Sequence, residues 1–116
     1  MKREVGYCPS FQFLEVTGLT NENAYQGKLI KKLKKTYPNA IIMKSDANYI
    51  QGIPDILILE GDRWGALETK RSKDATHRPN QDYYVDVMNG MSFSRFIYPE
   101  NEEEVLHDLE QALHKK

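Results

Sequence analysis

A chain of 116 residues suffices for one hydrophobic core and leaves no room for a second. With 40% hydrophobic and 28% charged residues it is neither disordered nor membrane-embedded; the longest apolar run, Ile56–Leu59, falls far short of the roughly 20 residues of a membrane-spanning helix. The net charge of −1 carries no overall basic signature, and a single cysteine, Cys8, with three scattered histidines excludes both an internal disulfide and a zinc-binding spacing. The start, Met1-Lys2-Arg3-Glu4-Val5, lacks the apolar core of a signal peptide, so a cytoplasmic protein is expected.

In chain order, residues 1–19 are the least readable, an arm interrupted by Gly6, Pro9 and Gly18, with a short strand expected near Phe11–Val16. Thr20 or Asn21 can cap a helix to about Tyr37, ended by Pro38-Asn39. At 100° per residue, Glu22, Gln26, Leu29 and Leu33 share one face, with Ile30 and Tyr37 at its margin and Lys28, Lys31, Lys32, Lys34 and Lys35 opposite. Ala40–Lys44 reads as a strand, and the turn-rich segment Ser45–Gly52 leads into Ile53-Pro54-Asp55. Asp55–Leu59 and Trp64–Lys70 form a hairpin around an expected four-residue loop, Glu60–Arg63. Pro79 suits the first position of a helix running to Met88 or Asn89, with Gly90 as its stop and Gln81, Tyr84, Val85 and Met88 facing inward. Ser92–Tyr98 alternates as a fourth strand. Asn101 with Glu104 resembles a capping box opening a last helix over 101–115, striped by Val105, Leu106, Leu109, Ala112 and Leu113. The order α-β-β-β-α-β-α describes one α/β domain over 1–116.

Pairing Leu59 with Trp64 fixes the hairpin register and sets Asp55 opposite Glu68. Directly opposed residues have Cβ atoms about 4.5–5.5 Å apart, where like charges repel. Alternation puts Lys70 on the face of Glu68 and turns Leu67 and Thr69 away. Two carboxylates and an ammonium thus converge, a natural seat for Mg²⁺, which takes one or two carboxylates, waters and substrate phosphate; the Thr69 carbonyl is a further candidate ligand. The bland alternative is a salt-bridged, solvent-facing hairpin surface. Against it, Asp55 enters the apolar run Ile56–Leu59, a strand expected to be buried on both faces. Glu22, on the face of Leu29 and Leu33, either joins the ion, which would offset its burial, or simply favours the positive end of its helix.

The set Gly52-Ile53-Pro54-Asp55, Glu68-Thr69-Lys70, Gln81 on the next helix and Glu22 on the preceding one resembles the PD-(D/E)XK nuclease superfamily, and within it the small stand-alone VRR-NUC proteins of phages, close to Holliday-junction resolvases. The resemblance covers about residues 20–100. It implies a restriction-endonuclease-like α/β/α core with a mixed sheet of about four strands and Mg²⁺-dependent hydrolysis of DNA, branched or duplex. It further implies Mn²⁺ as a substitute ion, no organic cofactor, a homodimer, and a host-cytoplasm location for a phage-encoded chain. By the same resemblance Asp55 and Glu68 are metal ligands, Glu22 a ligand directly or through water, Lys70 the residue orienting the attacking water, and Gln81 a residue touching the metal site or a phosphate. A noncatalytic nucleic-acid-binding or assembly module on the same fold is the alternative.

Arg71, Lys73, His77 and Arg78 follow the metal-site strand and are candidate nucleic-acid contacts, as are Gln26 and Lys28 on the first helix; each phosphate contact would steepen salt dependence. Trp64, Tyr83 and Tyr84 could stack on unpaired bases, with packing the better reading. Asp46, Asn48, Tyr49 and Gln51 either border the substrate or build the turn before Asp55.

Overall fold

The computed structural model describes residues 21–46 and 48–114; the arm with its expected strand, and Cys8, lie outside them. Three helices and four strands are described: α1 (Glu22–Thr36), β1 (Ile41–Lys44), β2 (Ile56–Glu60), β3 (Arg63–Thr69), α2 (Pro79–Met91), β4 (Ser94–Ile97) and α3 (Glu102–His114). The strands form one open sheet in the order β1-β2-β3-β4. Its first two pairings are antiparallel and the last, between β3 and β4, is parallel, because α2 carries the chain back across the sheet before β4 begins.

Asn21 starts α1, its Oδ1 accepting from the Ala24 N–H at 2.8 Å. The buried face of α1 comprises Tyr25, Gln26, Leu29 and Leu33, with Tyr37 following at the cap, and all five lysines are exposed. Tyr25 joins the core because its ring is covered while its hydroxyl reaches Glu102 at 2.7 Å. Tyr25, Leu29 and Leu33 of α1 and Val105, Leu109 and Leu113 of α3 pack with Ile56, Ile58 and Leu67 into one core cluster. Alternation places Ala66 and Glu68 on the opposite face, where α2 lies with Gln81 on Glu68. Two helices therefore cover one face and one helix the other. This single helix leaves Leu57 and Leu59 half-buried, so β2 is sealed on one face only and not on both.

Three local expectations are corrected. Glu60 pairs with Arg63, so the hairpin loop has two residues, Gly61-Asp62, and Gly61 adopts the positive φ of 63° that short hairpin turns require at their first position. Gly90 does not stop α2: the helix runs on to Met91 and closes with the Ser92 N–H on the Met88 carbonyl at 2.9 Å. The Asn101 amide does not cap α3. It accepts from the Tyr98 N–H at 2.9 Å and donates to the Phe96 carbonyl at 3.1 Å, fastening a 3₁₀ turn, Pro99–Asn101, ahead of the helix. Among the described residues no helix is long and apolar enough to cross a membrane.

Candidate metal centre

The hairpin register is the one that alternation requires, with Leu59 opposite Trp64 and Ile56 opposite Leu67. One step further along the strands, Asp55 meets Glu68. The backbone of Asp55 is held by the Ser45 N–H on its carbonyl at 2.8 Å, and that of Lys70 by its own N–H on the Ile97 carbonyl at 2.9 Å. Glu22 comes from the first turn of α1. One carboxylate oxygen of each of Glu22, Asp55 and Glu68 lies within 4.8 Å of the others.

Two of the three acids, Asp55 and Glu68, are held by specific hydrogen-bond partners. Asp55 Oδ2 accepts from the Thr69 N–H at 2.9 Å and from the Thr69 hydroxyl at 2.6 Å. That hydroxyl in turn accepts from the Gln26 amide at 3.0 Å. Glu68 Oε2 accepts from Gln81 Nε2 at 2.9 Å, while Gln81 Oε1 receives Lys70 Nζ at 2.7 Å and the Arg78 N–H at 3.0 Å. Lys70 Nζ also donates to the Thr76 carbonyl at 2.9 Å. Glu68 Oε1 is buried with no hydrogen-bond partner among the described residues.

These surroundings disfavour charge on Glu68 and Glu22. Burial, reinforced by the neighbouring Asp55 carboxylate, pushes the Glu68 carboxyl up to about 8 despite the pull of Lys70. Glu22 is raised as well, first by burial; Lys70 pulls it back and Asp55 pushes it further up. A buried carboxylate oxygen without a donor, beside two more carboxylates, is electrostatically unsatisfied. A hard divalent cation with oxygen ligands answers that deficit.

The expected set Glu22, Asp55, Glu68, Lys70 and Gln81 is thus brought together, although Lys70 approaches through Gln81 and not as an ion pair between the acids. Thr69 does more than alternation allowed, since its hydroxyl reaches Asp55. Gln26, a candidate nucleic-acid contact, is only 7% exposed and donates its amide to the Thr69 hydroxyl. The His77 ring stacks on Phe96 at 3.9 Å and its Nδ1 meets Asp82 Oδ1 at 3.0 Å. Arg71, Lys73 and Arg78 are exposed nearby and Lys28 is exposed on α1. Two contributors were missed. The Thr69 hydroxyl has no signal beyond its place at a strand end, whereas Asn80, which lines a cavity together with Asp55 and Glu68, could have been found from its place in the first helical turn after Pro79. No family model, no curated protein and no solved structure matches the chain.

Proposed function

We propose that this chain is a divalent-metal-dependent nuclease with a restriction-endonuclease-like core, hydrolysing phosphodiester bonds of DNA, with branched DNA as the preferred substrate. The observation that carries it is the buried, donor-less Glu68 Oε1 inside a three-carboxylate cluster. Mg²⁺ suits these ligands, and Mn²⁺ would replace it.

Asp55 and Glu68 would hold the ion from the paired strands, with Glu22 closing the set from α1 and the Thr69 carbonyl a further ligand. The bound ion would neutralise charge on the phosphate and lower the pKa of the attacking water. An ammonium has three N–H donors, and Lys70 uses two, on Thr76 and Gln81. The third is available to orient water or to oppose charge gathering on the phosphate. Arg71, Lys73 and Arg78 supply cations for flanking phosphates. Because the described residues carry one such centre, cutting both strands of a junction calls for two copies.

The test is cleavage of a four-way junction, a flap, single strands and duplex DNA with Mg²⁺, Mn²⁺ or a chelator. Metal-dependent products are expected from the unmodified chain. Asp55→Ala, Glu68→Ala and Lys70→Ala should each lower the rate at least roughly 10²-fold while circular dichroism stays unchanged. Undiminished cleavage by Asp55→Ala would remove the mechanism. Tight binding with no metal-dependent product would favour a noncatalytic nucleic-acid-binding module.

A further inference from the structure

Beside the carboxylates, a cavity of about 430 Å³ opens between the 45–54 loop and the start of α2, a size within the range of small-molecule sites. Its lining combines two kinds of chemistry. The carboxylates of Asp55 and Glu68 line it, and so do Asn48, Gln51, Asn80 and Arg78.

Four side-chain amides border this space, and one is already committed: the Gln81 amide is bonded on both sides, to Glu68 and to Lys70. Asn48 uses its backbone N–H on Asp46 Oδ1 at 2.8 Å to build the turn, and no other described residue takes up its side-chain amide. A wall made only to hold a polyanion would be rich in lysine and arginine. This wall carries a single cation, Arg78, against four neutral amides, groups that donate and accept together and pair with base edges.

The wall is also fixed in place. Gly52 has φ +90°, and a Cβ there would lie 2.4 Å from the Asn80 Cβ and 2.7 Å from its backbone carbon. Only glycine lets the loop close on the first turn of α2, bringing Gln51 and Asn80 to one rim. Tyr49, on the same loop, is 84% exposed and offers a ring face for stacking.

We infer that this cavity seats one unpaired nucleotide, its phosphate toward the carboxylate-held ion and its base against the amides of Asn48, Gln51 and Asn80. This rests on the proposed metal-dependent nuclease activity for the placement of the phosphate. A base inside a duplex stack cannot enter a concave site without being extruded, so the substrate class is DNA with an unpaired or readily unstacked nucleotide at the cut.

The experiment is titration calorimetry of the full chain in Mg²⁺ with the four deoxynucleoside 5′-monophosphates and with deoxyribose 5-phosphate, ligands that no nuclease consumes. At least one nucleotide should bind roughly tenfold or more tightly than the sugar phosphate. Asn80→Ala, which keeps the Cβ against Gly52, and Gln51→Ala should remove most of that preference without weakening the sugar phosphate. Equal affinity for nucleotide and sugar phosphate, absent nucleotide binding, or variants that weaken both ligands alike would overturn the proposal. DNA cleavage by the same preparations separates the two ideas. Nucleotide preference without cleavage keeps the pocket and removes the nuclease; cleavage without nucleotide preference does the reverse.

Discussion

Gln81 sets a neutral amide between a carboxyl and an ammonium, bonded to Glu68 on one side and to Lys70 on the other. A direct ion pair would have used the lysine to neutralise the acid and left less for a cation to gain; the amide keeps both groups oriented and the acid uncommitted. Gln81 is therefore a positioning residue, and loss of such an outer partner typically costs 10–100-fold in metal affinity or activity. If the chain is the proposed nuclease, Gln81→Ala lowers kcat by about that factor with a smaller change in KM for DNA, and the split is read from steady-state cleavage. A fall confined to KM would assign Gln81 to substrate contact instead. The opposition of Asp55 and Glu68 was legible in the sequence because hairpin pairing is arithmetic once one pair is set. The grip of Thr69 on Asp55 was not, since Asp55 precedes β2 and its carboxylate turns round the strand end, where alternation no longer describes side-chain direction.

Among the elements, α3 approaches β3 at Gly65, where a Cβ would lie 2.8 Å from Leu109 Cδ1 and 3.3 Å from Phe93 Cδ2. Gly65→Ala should cost about 1–3 kcal/mol through overpacking, measured by chemical denaturation; an unchanged midpoint would show that Leu109 gives way freely. Helices α1 and α3 are also tied through Glu102, which accepts from Tyr25 and pairs with Lys32. Burial alone would raise the Glu102 carboxyl, but the hydrogen bonds from Lys32 and Tyr25 outweigh it and hold the group below its usual value. A depressed carboxyl contributes stability that is fully present above its unfolded pKa and is lost as pH falls through the lower folded value. Glu102→Gln should therefore destabilise the protein near neutrality and flatten its stability profile below about pH 4.5; parallel profiles for the two proteins would refute the coupling. The helical stripes of α1 and α3 were readable from their apolar period. The ends of α2 and α3 were not: Gly90 stops a helix only where a left-handed residue is demanded, and Asn101 had two backbone partners nearer than the helix it was expected to cap.

For the molecule as a whole, the carboxylate cluster stands at the end of the central strands, where the layers on the two faces of the sheet meet. Glu22 reaches it from α1 and Gln81 from α2, while the main core joins α1 and α3 to the sheet and leaves α2 outside that cluster. The order of elements and the mixed four-stranded sheet were legible in the sequence, but the meeting of both layers at one strand end was not, because it depends on where α1 and α2 begin over the sheet. An ion held there would act as a fastener between layers that otherwise share few buried side chains. Ligand that binds only the folded state stabilises it by mass action, and here the gain would be spread over both covering layers. In hydrogen–deuterium exchange, Mg²⁺ is expected to slow the first turns of α1 and α2 together, and Asp55→Asn to abolish both effects. Protection confined to one helix would mean that the ion grips a single layer. The ends of these two helices, far apart in sequence, would then open and close as one unit whose set point is the free metal concentration.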